Sequence, residues 1–215
     1  METHMENNKM LYSHVSVDCV LLGVNEDKLC VLLIERQMDN SDEKRYKLPG
    51  SLIFENEDLD TAAHRVFNEA TGLKRVPLKQ FRSFGSPSRT KNKDDMQWLE
   101  NAMKLKIERI VTVAYLALSK IGRKSNPTNK YNSLAWFPVD ALPSLPFDHK
   151  EIIEAAVEEI REWVEKEPSI IFDYLPLKFT AYQLRRTYEI IYNKEMDVRN
   201  FHKKMGSLEY IVQTD

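Results

Sequence analysis

Glu69 and, upstream of it, Glu57 stand in and ahead of a stretch with helical patterning, with Arg65 one helical turn before Glu69 on the same face. Carboxylates hold a hard divalent cation through oxygen, and Mg²⁺ can use one or two of them when other oxygen ligands fill its shell. Arg65 and Glu69 serve equally as an i, i+4 ion pair on a scaffold helix and as a pair of ligand contacts.

A second group of chemistry-bearing residues lies near the C-terminus. Thr180, followed three residues later by Gln183, forms a capping-box pattern, and Asp197 precedes a short helix pattern that leaves Arg199, Asn200, His202, Lys203 and Lys204 outside an apolar face of Val198, Phe201 and Met205. Arg and Asn make two-pronged contacts to guanine and adenine edges, while Lys and hydroxyls position phosphates, so Thr180, Arg185, Arg199, Asn200, His202, Lys203 and Lys204 are candidate DNA contacts. From 178 to 204 seven Lys/Arg face three acids, although the whole chain is at −2. An anionic partner at that end follows from the asymmetry, and a solvated helix face would look similar.

The elements that must hold these residues are legible as alternating strands and helices. Residues 14–22 and 28–34 read as strands joined by a turn at Asn25, Glu26 and Asp27, and residues 108–118 and 134–137 as two more. Residues 58–71 read as a helix capped by Gly72, and 94–106 as a polar insertion with a helix around Trp98. Apolar residues from Ile152 to Val164 recur at three and four residue spacings between Asp148 and Pro168, which marks a long amphipathic helix. The pattern implies an α/β layered domain over residues 1–150 and a linker helix with a small helical domain over 151–215.

Composition narrows the class. No apolar run reaches the roughly 18 residues of a membrane span, and the polar start lacks the apolar core of a secretory signal, so a cytoplasmic protein without membrane contact is expected. Cys19 and Cys30, both inside apolar strand patterns, read as reduced buried thiols. His149 is too isolated to read as a metal ligand, and no metal or cofactor is expected.

The segment from Leu48 to Leu73 resembles the Nudix box, retaining Glu57, Arg65, Phe67, Glu69, Gly72 and Leu73 but replacing the first Gly by Ser51 and two metal-binding Glu by Val66 and Ala70. Ser86-Pro87-Ser88-Arg89, residues 111–118, Trp136 to Asp140, Leu145 to His149 and the C-terminal run Phe179 to Phe201 are similar to the Nudix-related transcription regulators of the NrtR type. The resemblance spans nearly the whole chain. It implies a Nudix-type α/β/α sandwich followed by a winged helix-turn-helix, without hydrolase activity, that binds a double-stranded DNA operator as a homodimer.

Within that family the eroded box and the insertion around Trp98 resemble the AraR branch, which implies a repressor of sugar utilisation with L-arabinose as its small-molecule effector. An ADP-ribose-responsive regulator of NAD metabolism and a weak Nudix hydrolase remain open alongside it. Glu35, Arg36, Lys47, Phe54, Glu69, Arg89, Tyr115, Phe147, Asp148 and His149 are the expected effector contacts, offering donors, acceptors and aromatic faces to a ring bearing hydroxyls. Tyr115 reads equally as core, and Asp148 as the N-cap of the long helix with Phe147 packed on it. Nine residues follow Gly206, so Leu208 to Val212 supplies one wing strand, and the return strand is either reduced or lies beyond the sequence.

Overall fold

The computed structural model describes residues 11–25, 27–36, 44–73, 76–119, 121, 133–206 and 211. Its strands are β1 (Leu11–Asn25), β2 (Lys28–Arg36), β3 (Arg45–Lys47), β4 (Gly50–Phe54), β5 (Lys79–Phe84), β6 (Val111–Leu118) and β7 (Leu134–Pro138). They form one sheet in the order β3-β2-β1-β6-β5, with β4 also pairing β1 and β7 pairing β2. The long β1 runs parallel to β6, from Val15 opposite Val111 to Leu22 opposite Leu118, and its other pairings are antiparallel. β3, β4 and β5 went unread in the sequence because they are short or carry charges along a half-exposed edge.

Side chains alternate across β1 and sort two cores. Val17, Cys19 and Leu21 pack with Val66, Phe67 and Ala63 of α1 (Leu59–Thr71) on one face. Val20 and Leu22 pack with Ile152, Ile153 and Ile160 of α3 (His149–Lys166) on the other. The result is the expected α/β/α layering. Asp58 caps α1 by accepting from Thr61 N, and Gly72 ends it at φ 69°, the left-handed conformation for which glycine was expected there.

The polar insertion contains the helix expected around Trp98, α2 (Lys93–Met103), which ends at a left-handed Lys104. α3 also stops before Pro168, which opens a 3-10 helix (Pro168–Asp173) as its first residue, a position where the missing N–H costs nothing. α4 (Ala181–Tyr192) carries both halves of the capping box expected at Thr180 and Gln183, and α5 (Val198–Met205) follows. The α3-side core continues without a break through Ile171, Tyr174, Leu184, Tyr188, Ile191 and Phe201, so α3 joins the sheet to the C-terminal helices. Among the described residues no helix is long and apolar enough to cross a membrane. The wing strand expected from Leu208 lies outside the described residues.

Candidate effector pocket and DNA-reading face

The sheet face opposite α1 holds a cavity of about 40 Å³, bounded by β1, β4, the loop before α2, α2 itself and the start of α3. Asp18, Lys47, Arg89 and His149 supply its polar wall, and Leu52, Trp98, Leu99, Ile110 and Phe147 its apolar one. Gly50 sits directly in front of Asp18, and no other residue fits there without shifting the carboxylate.

Four buried polar side chains form one cluster. Arg89 Nη2 lies 3.1 Å from Asp148 Oδ1 and 3.5 Å from Asp18 Oδ2, and Asp18 Oδ1 lies 3.6 Å from His149 Nε2. Leu48 N donates to His149 Nδ1 at 3.2 Å, which leaves the imidazole proton on Nε2. Burial, together with the charges of Lys47 and Arg89, lowers the His149 pKa to about 4 against the pull of Asp18. Burial works to raise the Asp18 pKa, but the neighbouring cations outweigh it and hold the pKa below the ordinary value. Because the imidazole is uncharged at neutral pH, Arg89, the Thr112 hydroxyl and Lys47 are the groups that hold Asp18 there. Asp148 moves the other way, raised by burial and by Asp18 more than Arg89 lowers it.

Asp148 therefore does not cap α3. Its φ and ψ are −101° and 23° with no side-chain cap bond, because its carboxylate is turned toward Arg89. Phe147 takes a left-handed φ of 55°, a strained state for an aromatic residue, and this brings its backbone N–H within 3.3 Å of Asp95 Oδ2 on α2. Asp95 Oδ1 in turn accepts from Arg36 Nη1 at 2.5 Å, and the Arg36 guanidinium lies 4.0 Å over the Trp98 ring.

Of the expected effector contacts, Lys47, Arg89, Phe147 and His149 meet at the cavity wall. Asp148 and Arg36 stand one contact behind it. The other four lie elsewhere. Glu35 is held by the Ser133 hydroxyl and lies 3.9 Å from Lys44 Nζ. Phe54 and Glu69 both belong to Arg65, whose guanidinium lies 4.2 Å over the Phe54 ring and 3.7 Å from Glu69 Oε1. Tyr115 points to the α1 side, by strand alternation, and donates to Asp60 Oδ1 at 2.6 Å. Asp18 and Trp98 were missed. A lone carboxylate inside the apolar run of β1 was the available signal, since a buried charge without a role is costly.

The box residues form a structural clasp. Arg65 bonds Glu57 through Nε at 3.0 Å and through a second, Nη2 bond, and it also reaches Leu52 O at 3.2 Å. Glu57 Oε1 accepts from Phe54 N at 2.8 Å. Val66 and Ala70 are fully buried. Among the described residues no group of three His, Cys, Asp or Glu has the placement to hold a metal ion. The donor set does not fit the cation that a Nudix box would hold.

At the C-terminal end, Phe201 is buried on Tyr188 with ring centroids 5.6 Å apart, and Asp197 Oδ1 accepts from Asn200 N at 2.8 Å. Arg199, Asn200, His202 and Lys203 are exposed as expected. Val198, the first residue of α5, is 51% exposed rather than packed. Thr180 is used as the α4 cap. Arg185 pairs with Glu189 at 2.5 Å and reaches Met196 O, while Glu189 accepts from Met196 N at 2.9 Å, so these two side chains tie the turn before α5 to α4. The Lys204 side chain lies outside the described residues.

Comparison with known proteins agrees with this architecture. Residues 12–157 match the NUDIX domain family and residues 171–215 the NrtR DNA-binding winged helix domain. The ADPR responsive transcriptional repressor NtrR of Acinetobacter baylyi is 26% identical over 94% of this chain and 75% of its own length. Two solved structures share the fold. A MutT/nudix family protein from Enterococcus faecalis superposes with TM-score 0.69 at 24% identity, covering 95% of this chain and 83% of its own. Shewanella oneidensis NrtR complexed with a 27mer DNA gives 0.67 at 22% identity, covering 89% and 82%. The chain belongs to the NUDIX domain family and carries that domain ahead of a C-terminal winged helix domain, the architecture of an NrtR-type regulator.

Proposed function

We propose that this chain is a transcriptional repressor that binds operator DNA through α4 and α5 and releases it when ADP-ribose occupies the pocket beneath α2. The observation that carries this reading is the pairing of an NrtR winged helix domain with a Nudix domain whose carboxylate positions are Val66 and Ala70. Such a domain binds a nucleoside diphosphate sugar without the cation set that hydrolysis needs. We count it a sensor, not a hydrolase.

The relative described as ADPR responsive aligns with 94% of the chain, and it favours ADP-ribose over the L-arabinose expected from the eroded box. The wall chemistry is compatible with either, since Asp18 accepts from hydroxyls, Arg89 and Lys47 donate, and Trp98 offers an aromatic face. A homodimer placing two α5 helices roughly 34 Å apart in successive major grooves supplies the affinity that one short helix lacks.

Selection of a duplex by the full chain from a random pool, followed by fluorescence anisotropy with added effector, tests the reading. ADP-ribose is expected to release the duplex while L-arabinose leaves it bound. Release by L-arabinose alone would return the protein to the sugar-responsive class.

A further inference from the structure

The polar insertion α2 forms one wall of the cavity through Trp98 and Leu99. None of its residues is fully buried. Met96, Leu99 and Met103 rest on a small cluster of Leu52, Ile107 and Ile110, separate from the two main cores. Polar tethers complete its attachment: Asp95 to Arg36 and to Phe147 N, and Glu100 to Ile107 N at 2.9 Å.

The cavity beneath it is far too small for the proposed ligand. Its 40 Å³ is room for about three waters at ~10–15 Å³ each. A nucleoside diphosphate sugar needs several times that space, so it seats fully only when an element of the wall moves, and α2 rests on the small cluster alone.

The attachment is conditional on charge. The Arg36 side chain is 3% exposed, with Asp95 as its carboxylate partner, and its Nε has no hydrogen-bond partner among the described residues. A buried guanidinium deprived of its counter-charge is strongly unfavourable, and lifting α2 would return it to water. Trp98, on the same helix, lines the cavity and stacks on Arg36.

We propose that α2 is a clasped cover over the effector pocket, locked by Arg36 and Asp95, and that Trp98 is the platform on which the base of the ligand stacks once the cover lifts. This rests on the reading of the cavity as the ADP-ribose site. The locked state narrows the site, and the apparent affinity is scaled by the fraction of molecules with the cover lifted. The strain at Phe147, whose N–H is held by Asp95, is released by the same movement.

Stopped-flow binding of ADP-ribose to the full chain tests the proposal, with hydrogen exchange of the α2 amides as a second readout on the wild type. Asp95→Asn removes the counter-charge with little change of shape and is expected to raise the association rate at least about threefold. Trp98→Ala is expected to raise the dissociation rate about tenfold, the scale of one lost base stack, with Trp98→Phe restoring most of it. The α2 amides should exchange differently with ligand present. ADP-ribose binding with unchanged rates in both variants and unchanged α2 exchange would overturn the cover while leaving the effector reading intact. No ADP-ribose binding by the wild type or by Asp95→Asn would overturn the effector reading, and the cover over that ligand's site with it.

Discussion

A Cβ built on Gly50 would lie 1.9 Å from Oδ1 of Asp18, so the absent side chain of one residue is the space in which the carboxylate of the other sits. The backbone O of Val17 is also only 3.1 Å from that Cβ, so a tight contact with backbone would remain even after Asp18 moved aside. Gly50→Ala should therefore destabilise the fold by about 1–3 kcal/mol, the usual range for overpacking. It should also weaken effector binding by displacing an acceptor from the wall. Chemical denaturation and calorimetry on the same variant check both, and wild-type stability and affinity in Gly50→Ala would contradict the packing.

The buried imidazole of His149 sets a pH dependence whose sign is fixed. Its folded pKa of about 4 is below the ordinary value of 6.5, so between those two values the unfolded chain binds a proton that the folded chain refuses. Stability is present above pH 6.5 and is lost as pH falls toward 4, by up to about 3 kcal/mol at 1.36 kcal/mol per pH unit. The lowered Asp18 adds loss in the same direction at still lower pH, while the raised Asp148 offsets part of it. Melting temperature should fall across this window, and His149→Gln, which keeps an acceptor for Leu48 N–H, should flatten the fall.

Restoring the missing carboxylates should not restore an enzyme. Val66 packs in the apolar core with Phe67 and Cys19 and Ala70 is fully buried, so Glu at both positions buries two acids, at a cost of several kcal/mol. The double variant is expected to lose most of its stability and gain no Mg²⁺-dependent phosphate release from ADP-ribose. A stable variant turning over at roughly 1 per second or more would show that the helix face is misjudged.

On α5, Arg199→Ala or Asn200→Ala should cost about 1–3 kcal/mol on the selected duplex if either reads a base edge, and Lys203→Ala should weaken all duplexes alike and flatten the salt dependence. Arg185→Ala should behave differently from all three. Its partners are Glu189 and Met196 O, so thermal stability should fall along with DNA binding, by freeing the start of α5. Anisotropy at several salt concentrations, alongside melting curves, separates these roles.

The sequence disclosed what depends on local rules. Gly72, the Thr180 and Gln183 box and the apolar stripe of α3 are set within a turn or two of chain, and each appears where its spacing placed it. The pocket was legible in part. Lys47, Arg89, Phe147 and His149 converge, but Glu35, Phe54, Glu69 and Tyr115 do not, because which face a strand residue takes depends on register with strands far along the chain. Asp18 stayed hidden for the same reason: its partners are Arg89 and His149, remote in sequence. Trp98 and Asp95 were legible as a helix but not as a cover, since Arg36 meets them only through the tertiary fold.

The central claim is that the pocket binds ADP-ribose as a sensor, with no divalent cation. Calorimetric titration of the full chain in chelator-treated buffer, with ADP-ribose in one run and L-arabinose in another, tests it most directly. Saturable binding of one intact ADP-ribose per chain, with no heat from L-arabinose, is the predicted result. Saturable binding of L-arabinose with none of ADP-ribose, or ADP-ribose binding that appears only when Mg²⁺ is restored and is followed by its hydrolysis, would contradict it.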